Sequence, residues 1–164
     1  MSTTSVSFIV YCKPEPQGSK NAFVIPGTNR AVVVDQGAKK LKPYRQEIVR
    51  TAMTEIPLRP WAGKHVPVIL KLNFQLLKPP SIGKKRTCPV VKPDIDKLCR
   101  STLDALTGVL YVDDAQIVEL HVRKEYSAVE CVTISAAVAD VIGVSPSGLF
   151  EEMADDMARK GRLI

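Results

Sequence analysis

Five aspartates, Asp94, Asp96, Asp104, Asp113 and Asp114, fall within the stretch KPDIDKLCRSTLDALTGVLYVDDAQ, which runs from Lys92 to Gln116. Two acids stand one residue apart where a loop becomes a helix, and another pair stands where the chain turns after it. These carboxylates converge if the chain reverses direction at the end of the helix. Oxygen ligands gathered in this way suit a hard divalent cation such as Mg²⁺. The whole chain carries a net charge of +6, so an acidic knot of this kind would meet a polyanion only with metal between them. Phosphodiester cleavage is the chemistry implied. Taken singly the acids have ordinary explanations, since Asp94 can cap a helix and Asp113 with Asp114 can make a turn. Asp96 fits neither description, and it sits beside Asp94 in the first turn.

The helix between the acids is predicted from its period. Pro93 stops the element before it; Ile95, Leu98, Cys99, Thr102, Leu103 and Leu106 then recur at helical spacing before Gly108 ends the run. Asp96, Arg100 and Asp104 are four apart in turn, so they share the polar face with Lys97 and Ser101. Acidic and basic groups are thus expected together at the mouth of one site.

The run PDIDKLCRSTLDALTG followed by YVDDAQIV resembles the RusA family of Holliday junction resolvases, small endonucleases of bacteria and their phages. The shared pattern is D-x-D at the start of a helix, D-A-L later in it and D-D-x-Q at the head of a strand, and the PQGSK segment is similar to that of phage-type members. By position, the resemblance implies that the catalytic metal-binding acids are Asp94, Asp96 and Asp114, with Asp113 a supporting neighbour in the metal site. The family's active-site lysine falls on Arg100. A guanidinium keeps the charge but stays protonated at any working pH, so it cannot give up a proton as an amine can. Lys97, directly after the second acid, is the other candidate for the catalytic cation. The resemblance further implies Mg²⁺, with Mn²⁺ able to stand in, a four-way junction or other branched DNA as substrate, and a homodimer that offers one active site to each of two symmetric strands. Two other readings stay open: a nuclease that prefers flaps, forks or other branches, and a DNA-binding protein without catalysis, at which the change to Arg100 hints.

The elements that must position these groups are read from period and punctuation. A strand is predicted over Val6 to Cys12, ending in the loop Lys13-Pro14-Glu15-Pro16-Gln17-Gly18-Ser19-Lys20. Gly18, Ser19 and Lys20 could present an N–H, a hydroxyl and an amine to phosphate; a solvated turn is the plainer account. Ala22 to Ile25 and Ala31 to Val34 read as a hairpin, Lys42 to Glu55 as a helix closed by Pro57, and Val66 to Leu76 as a half-buried strand with one polar face. Arg45 and Arg50 are taken as solvated charges on that helix. A basic loop with Lys84, Lys85, Arg86 and then Lys92 leads directly into the acids, and its clustered charge suits sequence-independent phosphate contact. Gln116 to Tyr126 and Val129 to Val138 alternate and are expected to pair as a hairpin, with Val118, Leu120 and Val122 buried. His121, on the opposite face without a visible partner, is taken as a surface residue.

A chain of 164 residues, 45% of them hydrophobic, is long enough for one compact core. The elements in order predict an α+β fold, a mainly antiparallel or mixed sheet with helices packed on one face. The nuclease domain is placed at residues 1–142, followed by a linker and a C-terminal amphipathic helix or tail at 143–164. No apolar stretch approaches transmembrane length and no signal-peptide layout is visible, so a soluble protein of the bacterial cytoplasm with no membrane partner is expected. Cys12, Cys88, Cys99 and Cys131 lack paired spacing or a histidine cluster, which argues against structural zinc and for free thiols.

Overall fold

The computed structural model describes residues 5–18, 20–35, 38–83 and 85–139, without the side chains of residues 20–23, 32–35 and 38. Among the described residues the elements run in the order β1 (Ser5–Val10), β2 (Lys20–Val24), β3 (Ala31–Asp35), α1 (Ala38–Glu55), β4 (Val68–Leu77), α2 (Ile95–Leu106), a short 3₁₀ turn (Asp114–Gln116), β5 (Ile117–Ser127) and β6 (Cys131–Val138). The expected C-terminal helix lies outside the described residues. Among those described, no helix is long and apolar enough to cross a membrane.

The main sheet has the order β1-β6-β4-β5, and β2 pairs with β3 as a separate antiparallel hairpin, as expected. β4 is antiparallel to β6 and parallel to β5, so the sheet is mixed. Here the expected hairpin between the last two strands is corrected: β4 inserts between them, and residues 128–130 carry the chain across its end. Alternation marks a strand but not its neighbours, and β4 is apolar enough to be paired along both sides. β5 is left at the edge with Glu119, Arg123, Lys124 and Glu125, charges that discourage further pairing. Its expected apolar face is also corrected, since Val118 is 63% and Leu120 40% exposed.

One face of the sheet holds the core. Phe8 and Val10 from β1, Leu70, Leu72 and Phe74 from β4, and Val132 and Ile134 from β6 pack with Leu41, Tyr44, Ile48 and Ala52 of α1 and with Leu98, Ala105 and Leu106 of α2. The α+β architecture with helices over the sheet therefore stands as read from the sequence. α1 starts four residues earlier than predicted, with Pro43 inside it. Proline lacks an N–H to donate, but Lys39, whose carbonyl would have received that bond, is exposed to water.

Between the helices, Tyr44 Oη lies 2.8 Å from Thr102 Oγ1. Thr102 Oγ1 in turn donates to Leu98 O at 3.0 Å, so the tyrosine hydroxyl is the donor of this buried pair. Replacing Tyr44 by Phe is expected to lower unfolding free energy by about 1 kcal/mol, the usual contribution of one such bond. Leu98→Ala, which opens a void under α2, should cost roughly 2–5 kcal/mol. Urea melts of the two variants against the parent check both figures.

Burial also sets a pH limit. The Cys12 thiol is pushed from 9.0 up to about 12, chiefly by burial and then by Glu47. Burial is likewise the first cause that raises the Tyr44 and Tyr111 phenols and the Cys99 and Cys131 thiols. The folded chain thus keeps protons that the unfolded chain releases, and the stability this gives is fully present below the unfolded values, 9.0 for the thiols and 10.0 for the phenols, and is lost as pH rises above them. Melting temperature should fall steadily as pH is raised through that limit in a thermal denaturation series.

Candidate active site

Helix α2 opens at Asp94, whose backbone is extended and whose side chain makes no capping hydrogen bond. The carboxylate is therefore not occupied by the helix end; it forms an ion pair with Lys97 at 3.4 Å. Asp96, in the first turn, is exposed. Two departures from the predicted helix faces appear here: Ser101 is wholly buried, and Ile95 is 37% exposed. Ser101 is inward because Oγ lies 2.7 Å from Glu15 O and 2.9 Å from Leu98 O, sharing its proton between two carbonyls. With Gln17 N donating to Lys97 O at 3.0 Å, this contact fastens the Lys13–Gly18 loop to α2.

After α2 the chain turns through Gly108, at φ 81°, a left-handed conformation that glycine adopts without a Cβ clash. Asp113 and Asp114 then divide two tasks. Asp113 caps the 3₁₀ turn, its Oδ1 accepting from Ala115 N at 2.9 Å, while Gln116 Oε1 accepts from Val112 N at 2.8 Å and Asp113 N at 3.1 Å. Gln116 Nε2 donates to Gly63 O at 2.8 Å and Val66 O at 3.0 Å, so the turn is tied to the segment before β4. Asp114 faces elsewhere, into a cavity of about 430 Å³ that it shares with Asp96, Cys99, Arg100, Asp104 and Leu120.

The geometry thus brings Asp96 and Asp114 onto one opening, with Arg100 beside them. Asp94 lines a larger adjoining cavity, about 510 Å³, together with Lys13, Lys92 and Lys97. Asp113 lines a third opening, beside Lys64 and His65. Among the described residues, no three of His, Cys, Asp and Glu stand close enough to hold a metal ion. The structure places Asp96 and Asp114 on one opening, Asp94 on another and Asp113 on a third, where it caps the 3₁₀ turn. Two carboxylates on one opening still fit Mg²⁺, which keeps several waters and commonly takes one or two carboxylates with phosphate oxygens.

Neighbouring groups register the negative field. Cys99 is raised by burial first and by Asp96 second. The Tyr111 phenol is raised by burial first and then by Asp114, Cys99 and Asp104. Asp104 is not free beside Arg100, since Arg45 of α1 pairs with it. The expectation of a merely solvated Arg45 fails because period cannot reveal a partner on another helix. His121 is paired with Glu119 on the surface.

Of the basic residues singled out, Lys85, Arg86 and Lys92 are exposed on the loop before α2, and Lys92 alone of these lines the larger cavity. Lys84 and Ser19 lie outside the described residues, as does the side chain of Lys20. Sequence reasoning missed Lys124 of β5, whose Nζ donates to Val91 O at 3.0 Å and Pro93 O at 2.9 Å. It holds the loop that delivers Asp94. No signal in the sequence could have found it, because one exposed lysine on a charged strand looks like any other.

An α+β domain with a mixed sheet, and with acids and bases on paired openings at one helix, is the class that fold and site define. The sequence matches the family described as Endodeoxyribonuclease RusA over residues 15–135, a span containing every acid discussed above. The chain belongs to the RusA endodeoxyribonuclease family. It is also 29% identical over 130 residues, 74% of this chain and 88% of the relative, to a Bacillus subtilis (strain 168) protein described as Uncharacterized protein YqaN.

Replacing Lys124 by Met should release the two carbonyls and loosen the segment from Val91 to Asp94. Charge-assisted bonds contribute about 1.5–3 kcal/mol each when shielded, and less where one side is open to water. Backbone amide exchange around residues 91–97 should accelerate by on the order of tenfold, measured by mass spectrometry, while exchange in β6 stays unchanged.

Proposed function

We propose that the chain is a Mg²⁺-dependent, structure-specific endodeoxyribonuclease that resolves four-way Holliday junctions by paired symmetric nicks, acting as a homodimer in DNA recombination and repair. The observation that carries this reading is the pairing of Asp96 and Asp114 on one opening beside Arg100. Membership of an endodeoxyribonuclease family supplies the reaction class.

In this reading Asp96 and Asp114 would hold the cation. The chemistry a divalent cation supplies there is a lowered pKa for a bound water and relief of charge on the phosphoryl oxygens. Arg100, exposed at the rim, donates N–H groups to the phosphate and cannot act as an acid. Lys97, ion-paired with Asp94 on the adjoining opening, is the candidate to give a proton to the departing 3′ oxygen. Asp94 lines the next cavity along α2 and orients Lys97. Lys85, Arg86 and Lys92 contact phosphates to either side, which makes binding salt-sensitive. Ends bearing 5′ phosphate and 3′ hydroxyl leave nicks that ligase can seal.

Asp96→Asn and Asp114→Asn should each lower cleavage of a synthetic four-way junction by more than about a hundredfold, since even the groups behind a metal's ligands affect activity by about 10- to 100-fold. Junction binding in a gel-shift assay should persist in both. Asp113→Asn should retain cleavage, because asparagine caps as well as aspartate. Loss of activity in Asp113→Asn alone would reverse the assignment of the two neighbours. Faster cutting of flaps or forks than of junctions would overturn the junction preference while keeping the nuclease.

A further inference from the structure

The turn after α2 is exposed from Val112 to Ala115, and Gln116 is its first half-buried residue. A carboxamide has two acceptor sites on oxygen and two N–H donors on nitrogen, and this one uses them all. Gln116 Oε1 accepts from Val112 N and Asp113 N, while Nε2 donates to Gly63 O and Val66 O. The partners fix which end is oxygen, since two N–H groups stand on one side and two carbonyls on the other.

The two ends of this amide do different jobs. The contacts of Oε1, with the Asp113 cap on Ala115 N, give the turn its shape. A turn held only from within can still swing as a unit. Nε2 gives it a place, because Gly63 and Val66 are 53 and 50 residues away along the chain. Their segment is itself anchored, with Trp61 N donating to Val109 O at 3.2 Å and Ala62 N to Leu110 O at 2.8 Å. It ends in a turn closed by Val66 N on Gly63 O at 3.2 Å, with His65 at φ 69°. A non-glycine residue in the left-handed region is uncommon and strained, and the turn that it completes presents two carbonyls to one NH₂ group.

The sheet gives less support here. β5 is an edge strand with β4 on one side only, and the register between them shifts between Val68 and Ile69. Ile117 pairs with Val68 and Glu119 with Ile69, so Val118 is passed over. The ladder is irregular just after Asp114.

We propose that Gln116 is a positioning residue for the candidate metal site: by tying the turn to Gly63 and Val66, it holds Asp114 on the opening shared with Asp96 and Arg100. The inference rests on the nuclease reading above and adds a residue that acts through Asp114. Asp96 is placed by the packing of α2 and Asp114 by this side chain, so the spacing of the two carboxylates has a support on each side. Mg²⁺ demands near-ideal geometry, so a carboxylate displaced by loss of one support holds it less well.

The test titrates full-length chains with Mn²⁺ in the absence of DNA, reading bound ion by electron paramagnetic resonance, which needs no turnover. Gln116→Met keeps the side chain's length and removes its hydrogen bonds, and Mn²⁺ affinity should fall by about 10-fold or more, the scale seen for groups behind a metal's ligands. Gln116→Glu keeps an acceptor for Val112 and Asp113 but sets an oxygen against two carbonyls. Its added negative charge alone would tighten Mn²⁺ binding, so weaker binding in this variant separates geometry from charge. Amide exchange in the metal-free variants should accelerate at residues 113–117 and stay unchanged in β6. In cleavage of a four-way junction, the Mg²⁺ needed for half-maximal rate should rise by the same factor with the junction KM unchanged, and saturating Mg²⁺ should recover most of the parent rate. A merely structural loss would lower the rate equally at every Mg²⁺ concentration. That result, parent-like Mn²⁺ affinity in Gln116→Met, or tighter binding in Gln116→Glu would overturn the positioning role and leave the nuclease reading intact. A parent chain that neither binds Mn²⁺ nor nicks branched DNA would instead overturn the nuclease reading, and this role with it.

Discussion

The rotation of α2 about its own axis is the constraint on which the site depends. Leu98, Thr102 and Leu106 are wholly buried against the sheet and α1. Thr102 is further held by the buried bond from Tyr44, and Ser101 by the Glu15 carbonyl. A helix packed along one stripe and bonded at two points beside it has no freedom to turn. Asp96, Arg100 and Asp104 are consequently outward and in line. A turn of even one residue, about 100°, would carry Asp96 away from Asp114.

The aspartates divide between holding the fold and facing solvent. Asp113 closes a cap and Asp104 receives Arg45 from the other helix. Asp96 and Asp114 make no such hydrogen bonds or ion pairs among the described residues, although each is next to an acid or base that does. This arrangement has a physical logic. Carboxylates held close together repel each other unless a cation or a proton intervenes. With Asp104 and Asp113 engaged by the fold, Asp96 and Asp114 are the aspartates left to share an opening. Arg100 on the same opening moderates that charge without giving up a proton. The fields felt by Cys99 and Tyr111, each raised in part by a neighbouring acid, are local signs of the same charge.

Much of the fold was legible in the sequence. The period of α2, the alternation of β4 and the turn at Pro26-Gly27 all act over a few residues, and each fixed an element to within a few positions. The start of α1 was placed four residues late, since packing of Leu41 onto the core, which local period does not reveal, extends the helix backward past Pro43. The pairing of the last two strands was misread for a different reason. Nearness in sequence favours a hairpin, but β4, whose core-facing residues are wholly buried, lies between β5 and β6 and is hydrogen-bonded along both edges. At the candidate site, the D-x-D and D-D motifs lie within the span matched by the RusA family, and the structure puts Asp96 and Asp114 on one opening.

What the sequence determined by itself was the inventory: a helix bounded by acids, an excess of positive charge, and an α+β order of elements, all set by residue type and local spacing. What only the tertiary structure decided was which of those acids face the same space. Asp94 and Asp96 are neighbours in the chain yet line different cavities, while Asp96 and Asp114 are distant in the chain yet share one. The reason is that a side chain's direction in a helix is local, but the group standing opposite it is set by the core contacts that fix the helix against the sheet. Lys124, Arg45 and Gln116 act across such contacts, so their parts could be read only after the chain had closed on itself.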